Sequence, residues 1–157
     1  MAIYYIVSGG FDPIHEGHIE NIKESALESD GVIALVNSDE WLCRKKGQNF
    51  MNFRTRSTVV DAIKGVIEVM AFNDSDDSAC DGLRKVRKKY PKDTLVFAKG
   101  GDRTADNIPE IPVCKELGIE IKYNVGSKIS GTQKPNSSSW ILKQWDERNK
   151  DKDKNKK

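Results

Sequence analysis

Two rhythms of apolar residues alternate along this chain. Ile3 to Val7, Gly31 to Val36, Val66 to Ala71, Leu95 to Ala98 and Ile119 to Tyr123 are short, β-branched and almost uninterrupted. Such runs predict strands buried on both faces. Between them the period lengthens. Ile19, Ile22 and Ala26 place one apolar stripe on a helix that starts near His18, and Val59, Val60 and Ile63 do the same for Thr55 to Lys64. Asn73 to Ser78 is a run of turn formers that can cap a third helix, Cys80 to Lys89. Pro109 or Pro112 opens a short fourth helix that ends at Leu117, where Gly118 stops it. Strands that alternate with helices predict an α/β fold, a doubly wound parallel five-stranded sheet in a single domain. Its ligand crevice should lie at the carboxyl ends of the strands.

Beyond Asn124 the rhythm loosens, then tightens at Ser137-Ser138-Ser139-Trp140-Ile141-Leu142, which reads as an N-capped last helix. The domain is therefore expected to span residues 1–145. Residues 146–157 have almost no apolar character and are expected to be a charged, frayed tail. That tail holds six Lys and Arg against four Asp and Glu, which leaves the domain balanced at 20 of each. A nucleic-acid-binding face would show as a basic excess within the domain, so no nucleic-acid partner is expected. The chain has no run of the roughly 18–20 apolar residues that a membrane span needs, and its start lacks the features of a signal peptide. The expectation is a cytoplasmic protein without a membrane partner. Cys43, Cys80 and Cys114 are three in number and form no CxxC, which disfavours a disulfide framework or a zinc site.

The chemistry concentrates in the first strand-to-helix turn, Gly9-Gly10-Phe11-Asp12-Pro13-Ile14-His15-Glu16-Gly17-His18. Glycines let backbone N–H groups approach a ligand, and the helix that follows aims its partial positive end at the same point. This is the layout of a phosphate site. His15 and His18 are the only histidines in the chain, and both stand at the mouth of that helix. As a metal pair they lack a third ligand, so no protein-held metal is expected.

The whole string resembles the signature of the HxGH nucleotidyltransferase superfamily. That group includes the glycerol-3-phosphate cytidylyltransferases and the heptose-1-phosphate adenylyltransferase domains. Four further segments are similar in order: Val36-Asn37-Ser38-Asp39 with Lys46-Gly47 in a lysine-bearing loop, Arg56, Lys99-Gly100-Gly101-Asp102, and Asn136 to Ile141. Gly10 departs from the pattern, since relatives often carry Thr, Ser or Cys there. Leu142 also departs, standing where the last motif usually has Arg.

The resemblance implies a Rossmann-like fold and a direct transfer. A phosphorylated small molecule attacks the α-phosphorus of a nucleoside triphosphate, CTP slightly favoured over ATP, and pyrophosphate leaves. His15, His18 and Lys46, or its neighbour Lys45, would be catalytic. Gly9, Gly10, Phe11, Gly100, Gly101, Asp102, Ser137, Ser138 and Ser139 would join the histidines in binding the nucleotide. Asp12 and Arg56 would face the acceptor. Mg²⁺ would accompany the triphosphate, and the family commonly forms homodimers. A nucleotide-binding module without turnover is the alternative. A flavodoxin-like carrier would need a Ser- and Thr-rich loop that Gly9 to Pro13 does not supply.

Overall fold

The computed structural model describes residues 1–100, 108–123, 125 and 138–155. Five strands appear: β1 (Ile3–Gly9), β2 (Gly31–Val36), β3 (Val66–Met70), β4 (Thr94–Ala98) and β5 (Glu120–Lys122). All pairings are parallel, in the order β3-β2-β1-β4-β5. The chain starts at the centre of the sheet, winds outward through β2 and β3, then returns to the other side of β1 for β4 and β5. The order reverses between β1 and β4, and there the connections diverge and leave a crevice.

The helices are α1 (Glu16–Leu27), α2 (Asp39–Lys46), α3 (Phe53–Asp61), α4 (Cys80–Lys89), α5 (Ile111–Leu117) and α6 (Ser138–Asn155). The two faces of the sheet bury separate clusters, because successive strand residues point to opposite sides. Tyr5, Val7, Val32, Ala34, Val36, Val96 and Ala98 pack on one face with Ile22 of α1 and Val60 of α3. Ile6, Ile33, Leu35, Leu95 and Phe97 pack on the other with Leu83 and Val86 of α4 and Cys114 of α5. Every residue of β2 is buried, which explains its unbroken apolar run.

Two expectations change. The segment anticipated as a lysine-bearing loop is α2, capped by the Ser38 hydroxyl, which accepts from the Trp41 amide. It ends at Gly47 in a left-handed conformation, φ 89°. Lys46 is thus the last helical residue rather than a loop residue. The last helix also continues past residue 145 to Asn155, carried by i,i+4 spacing such as Asp146–Lys150, 3.5 Å. Residues 146–148 and Lys150 are exposed on this helix.

Candidate active site

A cavity of about 300 Å³ opens at the carboxyl ends of the strands. Gly9, Gly10, Phe11, Asp12 and His18 line it from the first turn, Lys45 and Lys46 from α2, and Ser138 and Ser139 from α6. Three stretches far apart in sequence meet there because each follows or leads an element at the same edge of the sheet.

The histidines are fixed by the helix they open. His15 is the N-cap of α1: its Nδ1 accepts from the Gly17 amide at 3.0 Å, and the His18 Nδ1 accepts from the His15 amide at 3.2 Å. The two side chains thereby form a reciprocal capping box. Their rings lie 4.0 Å apart, and Phe11 packs on His18 at 4.9 Å. Burial pushes both imidazoles down, His18 to about 3, with the neighbouring His15 and Lys46 charges acting in the same direction on His18. Both rings are therefore neutral near pH 7. With Nδ1 accepting, each carries its proton on Nε2 as a hydrogen-bond donor.

Phe11 adopts φ 53°, a left-handed conformation that costs a bulky residue energy. The strain is held by packing, since Phe11 is buried against His18. Lys46 extends into the same space, and its Nζ donates to the Asp12 carbonyl at 3.1 Å. Burial lowers its pKa, opposed by Asp12. Lys45 also lines the cavity but its Nζ lies over the Trp41 ring at 4.6 Å. Lys46 is therefore the lysine held against the turn. Ser138 joins α6 to it, its hydroxyl donating to the Pro13 carbonyl at 2.7 Å.

Two residues expected to face the acceptor have other work. Arg56 is fully buried and spends its guanidinium on Met51 O, Gly10 O, Asn37 O and Asp39 Oδ1, at 2.7–2.9 Å. Four of its five N–H groups are used in this way, and with its side chain wholly enclosed Arg56 acts as a positioning residue. Asp12 lines the cavity, yet its carboxylate accepts the Phe50 and Met51 amides, both at 2.6 Å. Its oxygens order the 47–52 loop. Gly101, Asp102 and Ser137 lie outside the described residues. Gly100 sits beside α1: a Cβ there would meet Asn21 Nδ2 at 2.7 Å. At Gly10 a Cβ would press on Leu42 Cδ2 at 2.9 Å, so α2 fills the space that a larger residue would need.

The cavity also takes in Asn37, from one of the family-like segments, and Trp41, Phe72, Ser78 and Glu110, to which sequence reading gave no role. Asn73 to Ser78 looks like a plain turn in sequence. Only the folded chain brings it to the site, where Asp74 accepts from Asn37 and Ser38 just past the end of β2.

The cytidylyltransferase-like family model matches residues 6–143, nearly the whole domain. The chain belongs to the cytidylyltransferase-like family. Its fold is Rossmann-like, a parallel sheet with helices packed on both faces. The bifunctional protein HldE of Gluconobacter oxydans is 29% identical over 73% of this chain, which spans 22% of that relative's length. Among solved structures, the lipopolysaccharide core biosynthesis protein of Thermoplasma volcanium has a TM-score of 0.57 at 22% identity, covering 78% of this chain and 94% of that one. A bifunctional NMN adenylyltransferase/ADP ribose pyrophosphatase of Francisella tularensis, solved with AMP and manganese, has a TM-score of 0.56 at 18% identity. That match covers 78% of this chain and 37% of that one.

Proposed function

We propose that this protein transfers a nucleotidyl group from CTP or ATP to the phosphate of a small alcohol, polyol or sugar phosphate. An acceptor phosphate oxygen forms a bond to the α-phosphorus while the bond from that phosphorus to the bridging oxygen breaks. Pyrophosphate leaves, and no covalent enzyme intermediate forms. The observation that carries this reading is the pair of neutral histidines that opens α1, with His18 and Lys46 lining one cavity. Transfer of this kind needs donors and cations aimed at in-line oxygens, not a nucleophile. The two Nε2–H groups supply donors that need no deprotonation. Lys46 supplies a charge, and the α1 and α6 N-termini add partial positive ends.

Magnesium fits as a companion of the triphosphate. Among the described residues no three His, Cys, Asp or Glu side chains gather to hold a metal ion, and the Asp12 carboxylate is already taken by amides. The ion would be held by phosphate oxygens and water, and would neutralise charge there. Among the described residues no helix is long and apolar enough to cross a membrane, in keeping with a cytoplasmic enzyme that draws on cellular nucleotides. Trp140 and Trp145 are 43% and 55% exposed on α6, which favours a homodimer.

The test is pyrophosphate release with Mg²⁺, crossing four nucleoside triphosphates against phosphorylated polyols, sugars and amino alcohols. Release with one pair is the expected result and identifies base and acceptor together. Silence across the panel, with nucleotide still bound by calorimetry, overturns the enzyme in favour of a binding module.

A further inference from the structure

The cavity has a further wall, made by Phe72, Asp77, Ser78, Ala79, Lys99 and Glu110. Glu110 is 4% exposed. It stands at the N-cap position of α5 but does not cap that helix. Its Oε1 instead accepts the Ala79 amide at 3.1 Å, at the start of α4, while Oε2 has no hydrogen-bond partner among the described residues. A buried carboxyl oxygen left without a donor is costly, and a residue kept in that state has a donor to receive. The cavity that Glu110 lines is where such a donor enters.

The neighbouring groups narrow its chemistry. The Ser78 hydroxyl already donates to Asp76 Oδ1, so what it has left to offer is a lone pair. Asp77 brings a further carboxylate, one oxygen of which accepts from Arg44. Apart from Lys99, whose Nζ lies over the Phe97 ring at 4.9 Å, this wall offers acceptors. A nucleobase edge presents both donors and acceptors and would need both in return. A ligand ammonium would meet the Lys99 charge. Hydroxyls can each turn a proton toward an acceptor and satisfy this wall.

We infer that Glu110 is a specificity-determining residue that receives a hydroxyl of the acceptor, so the acceptor is a polyol or sugar phosphate rather than a simple alkyl phosphate. This rests on the transferase reading for the word acceptor, but the binding itself does not require turnover. The experiment is calorimetric titration of three- to seven-carbon polyol phosphates, each against the alkyl phosphate of equal length, into the full chain and E110Q. Glutamine keeps an oxygen for the Ala79 amide and replaces the second acceptor with a donor. Retention of CTP or ATP affinity and of the thermal transition reports that E110Q is folded. The wild type should prefer the hydroxylated ligand by about 10- to 100-fold, the scale of one hydrogen bond to a charged group. E110Q should lose that preference.

An equal preference in E110Q overturns the assignment, as does failure of every panel member to bind. So does a loss confined to nucleotide affinity, which would place Glu110 on the base or ribose. Glu110-dependent polyol binding without pyrophosphate release would leave this subsite standing and defeat the transferase reading alone.

Discussion

His15 and His18 do two jobs with one geometry. Their Nδ1 atoms close the capping box of α1, and that bond leaves the Nε2 protons for a ligand. The fold thus selects the tautomer the chemistry needs. His18→Ala should lower turnover by about 10²- to 10³-fold, the scale of one lost transition-state donor, with the fold retained; steady-state pyrophosphate release together with circular dichroism checks both. The same residues set a pH dependence. Burial holds the folded pKa of both histidines below the ordinary 6.5, and that of His18 falls to about 3. The unfolded chain therefore takes up protons first as pH falls, and stability declines below about 6.5 while staying flat above it. These are the chain's only histidines, so between about pH 6.5 and 5 their titration dominates. Urea unfolding across that window should show a smaller decline in His18→Ala than in the wild type.

Among the elements, α2 and α3 build a frame around the first turn. Arg56 of α3 reaches the turn at Gly10, the end of β2 at Asn37, the 47–52 loop at Met51 and α2 at Asp39. Four segments hang on one guanidinium, and the planar fork is what lets it serve them together. Arg56→Ala would strand buried carbonyls and should cost about 3–5 kcal/mol in urea unfolding. Arg56→Lys keeps the charge without the fork and should recover only part of that loss. Asp74 is a second fastener. Its carboxylate takes the Ser38 amide and hydroxyl and the Asn37 side-chain amide, and those bonds, opposing its burial, hold its pKa down. The start of α2 is thus pinned to the β3–α4 connection, which carries Ser78 and Ala79 to the cavity.

For the whole molecule, stability resides in the two clusters on the faces of the sheet, and little of it depends on the chain's last turns. The Asp146–Lys150 pair is about 70% exposed on both sides, and pairs of that kind contribute little. Removal of residues 146–157 should shift the thermal midpoint by less than about 2 °C, as read by differential scanning calorimetry.

Much of this architecture was legible in the chain because its physics is local. Nearly continuous β-branched runs report strands covered on both faces, and the boundaries of β2 and α4 agree with those read from sequence. Gly118 ends α5 in the left-handed conformation expected of it, φ 67°. Helix α2 was harder to see, since Asp39–Lys46 carries little apolar pattern and only Leu42 is buried. The candidate phosphate end was legible for a related reason: two histidines and their glycines are contiguous and report their own turn. Arg56 was legible as a residue of interest, but its role was not, because a guanidinium's function depends on which carbonyls surround it. The role of Glu110 left no signal in its neighbours in sequence, as its partner Ala79 lies 31 residues away. The sequence by itself determined the strands, most of the helices and the turn that gathers the histidines, since those depend on neighbours within a few residues. The tertiary structure alone decided which groups were already spent, the donors of Arg56 and the acceptors of Asp12, and which buried acceptor, on Glu110, was left over. Those outcomes depend on hydrogen-bond partners that only the folded sheet brings together.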